Sequence, residues 1–84
     1  MGAVRKPISA TFYCVQPFWN DGRKLSHGEA RQFRDEPSAL GFAEEIAKVY
    51  AGVVVYSVTG EPEFEAWGPP ELIISLGQTP PIEF

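Results

Sequence analysis

The sequence predicts an α+β domain, in which one amphipathic helix packs on one face of a mainly antiparallel β-sheet to give two layers in the order β-β-α-β-β. Three observations predict this class. The first quarter of the chain is rich in aromatic and β-branched residues, the middle has one-sided helical periodicity, and a valine-rich segment follows. The chain has 84 residues, enough for one core. We therefore expect a single domain over 1–84, with loose termini at 1–7 and 77–84.

The aromatic segment predicts a long first strand over 8–19, which Pro17 is expected to bend or bulge. Asn20-Asp21-Gly22 predicts a hairpin turn, because Gly22 tolerates a positive φ. The return strand is weaker and lies within 25–34, with its best match at 30–34.

A helix is predicted over 37–51. Asp35 or Glu36 can cap it, Pro37 suits its first turn, and Gly52 is a natural stop. One half of the helical wheel is apolar and consists of Ala39, Leu40, Phe42, Ala43, Ile46, Ala47, Val49 and Tyr50. Such a helix covers an apolar surface.

Three extended segments follow the helix. Residues 53–58 are apolar on both faces, which is typical of a central strand. Residues 59–62 predict a turn, 63–67 alternate as in a half-exposed strand, and 72–76 form a further apolar strand.

One helix covers one sheet face, so the other face is expected to expose apolar side chains. Monomers seldom leave a large apolar patch unused. We therefore predict an interaction module that self-associates as a homodimer, or binds another protein, through the uncovered face. The alternative is that residues 69–84 fold back and cover it. The predicted contact residues are Tyr13, Val15, Trp19, Tyr56 and Trp67.

The charge distribution suggests a second function. Residues 1–34 carry six of the seven basic residues, whereas 35–84 carry nine of the eleven acidic ones. A basic, aromatic hairpin is a feature of single-strand nucleic-acid binders, although the net charge of −4 disfavours a polyanionic partner. The residues expected to serve this alternative are Arg23, Lys24, Arg31 and Arg34.

Catalytic, metal and membrane functions are not expected. One cysteine, Cys14, and one histidine, His27, form neither a disulfide nor a zinc site within the chain, and no phosphate-binding glycine loop is present. The longest uncharged run, 7–20, is too short to span a bilayer. We expect a cytoplasmic protein that is not an enzyme and has no cofactor.

The pattern over 10–66 is similar to that of small bacterial domains of unknown function. The similarity rests on the basic, aromatic phrase at 31–34, the alanines Ala39, Ala43 and Ala47, the valines at 53–55 and the glycine turn at Gly60. This resemblance implies the same strand and helix order. It transfers no catalytic residue.

Overall fold

The computed structural model of the protein describes residues 9–80; the predicted loose residues 1–7 and 81–84 lie outside that range. Between residues 9 and 80 it shows six strands, one α-helix and one short 3₁₀ turn. In order they are β1 (Ala10–Asp21), β2 (Lys24–His27), β3 (Arg31–Phe33), α1 (Glu36–Ile46), β4 (Gly52–Glu61), the 3₁₀ turn (Pro62–Phe64), β5 (Ala66–Trp67) and β6 (Glu71–Gly77). This confirms the α+β class, with a mainly antiparallel sheet and a helix.

The sheet is built around the long antiparallel pair β1 and β4. Their register runs from Ala10 opposite Gly60 to Phe18 opposite Gly52 without a shift. β2 and β3 pair with the outer side of β1, while β5 and β6 pair with the outer side of β4. The single return strand predicted within 25–34 is therefore broken into two shorter ones, β2 and β3.

Pro17 leaves β1 intact and interrupts its neighbour instead. The Pro17 carbonyl accepts a hydrogen bond from the Gly28 N–H at 3.2 Å. A strand residue directs its N–H and C=O towards the same neighbour, so the donor that proline lacks is missing on this outer side. The register slips by one residue between β2 and β3 at this point. The predicted bulge thus lies in the partner strand.

The helix begins where predicted and ends earlier. The Asp35 side chain accepts a hydrogen bond from the Ser38 N–H at 2.8 Å, as an N-cap should. After Ile46 the backbone tightens into turns, with the Val49 and Tyr50 N–H groups both donating to the Ile46 carbonyl. The prediction of helix to residue 51 is therefore wrong, because the chain must turn before Gly52 to enter β4.

The core lies between α1 and one face of the central pair, which we call the helix face. Ala39 and Ala43 are fully buried against Val15, Val53 and Val55. Two alanines allow the helix backbone to approach the β-branched valines closely, so small and medium side chains make up this layer.

The segment after β4 differs from the predicted turn and strand. β4 continues to Glu61, and a 3₁₀ turn follows over Pro62–Phe64. Glu65 then adopts a left-handed conformation with φ of 52°, which ends the turn. The predicted strand over 63–67 is reduced to Ala66–Trp67 because the β4 edge accepts pairing only at Gly60 and Glu61 there.

Candidate functional site

The five predicted contact residues do not share one face of the sheet. Tyr13 and Val15 pack on the helix face, where Val15 is fully buried. Tyr56 lies opposite Cys14 in the register and so faces the other side, which we call the open face. The expectation that all five line an uncovered face is therefore wrong. The reason is that side chains alternate between the two faces along a strand. Val15 lies opposite Val55, and Tyr56 is the next residue along β4, so it points to the other face.

The centre of the open face is already buried. Cys14, Phe18 and Val54 are each less than one-tenth exposed. Burial raises the pKa of the Cys14 thiol, an effect partly offset by a side-chain hydrogen bond with Tyr56, and burial likewise raises the pKa of the Tyr56 hydroxyl. A protonated, enclosed thiol is an unreactive packing group rather than a nucleophile.

One end of the open face is covered by the chain that leaves β6. Gly77 has φ of 70°, and the next residue, Gln78, donates its N–H to the Ala51 carbonyl at 2.8 Å. The Gln78 side chain accepts a hydrogen bond from the Asn20 amide at 3.0 Å. The backbone of Gln78 lies so close to Gly52 that a side chain there would clash. This part of the predicted loose tail is anchored.

Exposed apolar side chains concentrate instead at the outer edge of β5 and β6. Leu72 and Trp67 are 45% and 46% exposed, and Phe64 and Ile74 are also exposed. A register shift between Val55 and Tyr56 turns Ile73 towards the core, whereas Leu72 and Ile74 stay accessible. Sequence periodicity missed this edge because 72–76 reads only as a further apolar strand, and its pattern does not show which side chains stay exposed. The signal that could have indicated an exposed apolar edge is the absence of charged residues in β6 after Glu71.

Trp67 anchors this edge to the open face. Its ring packs edge-on against Phe12, with centroids 5.5 Å apart. Gly60, opposite Trp67 in the register, leaves the space that the ring occupies. Of the predicted contact residues, Trp67 is therefore the one that borders the exposed edge.

A groove of about 310 Å³ opens on the helix face, between the C-terminal half of α1 and residues 29–31. Val15 and Pro17 of β1 line it, with Phe42, Ile46 and Tyr50 on the helix side. The opposite wall consists of Glu29, Ala30 and Arg31. The lining is thus mostly apolar, with two charged side chains on one wall.

Hydrogen bonds to β1 hold that wall in place. The Gln16 side-chain amide donates to the Gly28 carbonyl, and the Gly28 N–H donates to Pro17. Trp19 packs near Tyr50, with ring centroids 6.3 Å apart, and borders the same wall at Gly28. The predicted contact residue Trp19 therefore packs beside one end of the groove and does not lie on an open sheet face.

Arg31 spreads its guanidinium over two aromatic rings at the other end of this wall. Its central carbon lies 4.9 Å from the Phe42 centroid and 5.7 Å from the Phe33 centroid. Within residues 9–80 no carboxylate pairs with it. Stacking leaves the in-plane N–H donors of a guanidinium available to an anion.

The basic residues predicted for nucleic acid lie along one edge but do not form one patch. Lys24 and Arg31 oppose β1 residues six positions apart, about 20 Å along the strand. Arg31 stacks on the helix face, whereas Arg34 lies over Phe12 on the open face. Residues 21–36 also contain four acidic side chains against four basic ones. Arg23 completes the basic set, in the turn between β1 and β2.

No protein-family model, curated protein or solved structure matches the chain. Within the described range, the single α-helix is too short to cross a membrane.

Proposed function

We propose that the protein is a self-associating interaction module, in which the outer edge of β6 pairs with the same strand of a second copy. The observation that carries this proposal is the pair of exposed apolar side chains Leu72 and Ile74 on β6, a strand whose outer edge no described residue pairs with. An unpaired strand presents a row of backbone donors and acceptors that a further strand can satisfy.

Edge pairing suits this surface better than docking on one face. Leu72 lies opposite Tyr56 on the open face, whereas Ile74 lies opposite Val55 on the helix face. A partner seated on either face would cover only one of these side chains. A neighbouring strand flanks both of them, because its own side chains alternate between the two faces.

Charge favours an antiparallel arrangement centred on Ile74. In that register, Glu71 lies opposite Gly77 of the second copy. The only charged residue of β6 therefore faces no like charge. The acidic turn around Glu63 and Glu65, next to the Glu71 end, lies at opposite ends of the two copies.

Sedimentation velocity over a concentration series tests the proposal. We expect reversible dimers in the concentration range of about 5 to 500 µM, with Ile74→Lys monomeric because two ammonium groups oppose each other at the symmetry axis. Val49→Lys is the matched control, since Val49 is 79% exposed but lies in the turn after α1, away from β6. It should dimerise as the parent does.

A charge-swap experiment tests the register itself. Ile74→Glu alone should also be monomeric, and an equimolar mixture of Ile74→Lys and Ile74→Glu should recover the dimer, because opposite charges then meet at the axis. A parent protein that is monomeric throughout the series overturns self-association. Dimers that survive Ile74→Lys but are lost on Tyr56→Ala would move the contact to the open face and overturn the edge model.

A further inference from the structure

We propose that the groove between α1 and residues 29–31 is a binding site for a small organic carboxylate with an apolar body. The site is distinct from the β6 edge, because β3 and β6 lie on opposite sides of the central pair. Its test therefore succeeds or fails independently of self-association.

The apolar part of the groove suits a hydrocarbon or aromatic body. Pro17 provides a rigid floor, with the buried Val15 beneath it, and Ile46 and Tyr50 provide one wall. At about 310 Å³ the groove is large enough for a ring with a short chain, at the lower end of the range for ligand sites. Gly28, which leads into the wall at residues 29–31, is tied to β1 by hydrogen bonds. Binding therefore requires little ordering of the backbone, which favours affinity.

Arg31 supplies recognition of the charged end. The stacking of its guanidinium on Phe42 and Phe33 restricts the side chain and weakens its hydration, while the donors at its edge stay accessible. A carboxylate matches the paired N–H groups of a guanidinium in a bidentate geometry. An anion bound there would place its apolar body along Phe42 and into the groove.

The carboxylate of Glu29 lies on the same wall and repels an anion bound at Arg31. Glu29 is exposed, and among the described residues it does not form an ion pair with Arg31. Its negative charge should weaken the binding of an anion and strengthen that of a cation. Removing that charge should change affinity in opposite directions for the two ligand classes.

The experiment is a titration of isotope-labelled protein with 3-phenylpropionate, followed by amide chemical shifts in two-dimensional NMR. Two matched probes separate the parts of this ligand. 3-Phenylpropan-1-ol keeps the phenylpropyl group but has no charge, and acetate keeps the carboxylate but has no apolar group. We expect 3-phenylpropionate to bind with a dissociation constant of about 1 mM, as a ligand of this size allows. The shifts should concentrate at Ala30, Arg31, Ile46 and the Trp19 indole N–H.

Matched variants test whether Arg31 recognises the carboxylate of the ligand. Arg31→Gln should weaken 3-phenylpropionate binding at least about fivefold, which corresponds to one lost charge-assisted contact. Arg34→Gln should leave it unchanged, because Arg34 stacks on a ring of the opposite face. Glu29→Gln should tighten it about twofold.

Three outcomes overturn the proposal: no shifts at the groove at about 10 mM ligand, equal affinity for the alcohol and the acid, or equal losses for the two arginine variants. Amide spectra of each variant without ligand establish that the fold is retained.

Discussion

The guanidinium carbon of Arg31 lies 4.9 Å from the centroid of the Phe42 ring, and this contact joins β3 to the helix. Arg31 belongs to a strand and Phe42 to the helix, and only the packing of α1 on the helix face brings the two side chains together. The contact also forms one end of the groove and orients the cation that faces it.

Replacement of Phe42 should release Arg31. Phe42→Leu keeps most of the apolar volume but removes the ring, so we expect a loss of about 1 kcal/mol of unfolding free energy. The Arg31 side-chain protons should lose the ring-current shift that Phe42 imposes, which NMR measures directly. Phe12→Leu is the control: it should move the resonances of Arg34 instead. Unchanged Arg31 shifts in Phe42→Leu would contradict the stacked geometry.

The space beside Gly60 is required by Trp67. A methyl group at Gly60 would lie 2.8 Å from the Trp67 Cα and closer still to the Ala66 carbonyl oxygen. We expect Gly60→Ala to lower the unfolding free energy by about 2 kcal/mol or more in urea denaturation, because backbone must move. Gly41→Ala is the matched control. Gly41 is helical with nothing within 4 Å of the added atom, so alanine there should stabilise by about 0.5–1 kcal/mol.

The N-cap of the helix should respond to acid. The backbone hydrogen bond from Ser38 lowers the pKa of Asp35. Because the folded pKa is below the unfolded one, the stabilisation is complete above about pH 3.9 and is lost as pH falls through the lowered value. Asp35→Asn keeps an acceptor without titrating. As the pH falls, the thermal unfolding midpoint should decrease less for Asp35→Asn than for the parent protein. Equal decreases in the two proteins would contradict a role of the Asp35 carboxylate as the N-cap.

The Cys14 thiol should resist modification until the protein unfolds. Burial raises its pKa, so the folded state holds the proton more tightly than the unfolded state. The associated stability is present below the ordinary pKa of about 8.5 and is lost as pH rises through the folded value. We expect a disulfide reagent to react at the rate of unfolding in a urea series. In Cys14→Ala the decline of stability above about pH 8.5 should be shallower. Fast labelling of native protein would contradict the burial.

Burial of Val15 makes it a core residue rather than a contact residue. It touches the helix alanines and is fully enclosed. Val15→Ala should cost about 2 kcal/mol of unfolding free energy, measured by urea denaturation, because it leaves a cavity under α1. The dimerisation constant of the folded fraction should not change. A variant that unfolds normally but fails to dimerise would return Val15 to the interface.

Local pattern determined the helix start, the hairpin turn and the central strands. Asp35 and Pro37 mark the N-terminus of α1 within one residue, and Gly22 has the predicted positive φ of 70°. These features depend on neighbours along the chain, so the order of residues is enough to specify them. The apolar residues on both faces of 53–58 likewise predicted a central strand, and β4 lies inside the sheet.

Tertiary structure alone decided which face the helix covers and where the sheet remains open. Parity places Val15 and Tyr56 on opposite faces, but nothing in either strand states which face receives Ala39 and Ala43. The groove beside Arg31 and the exposed edge of β6 arise from the same choice. They join residues far apart in sequence, and contacts between such residues depend on register and packing, which no local periodicity contains.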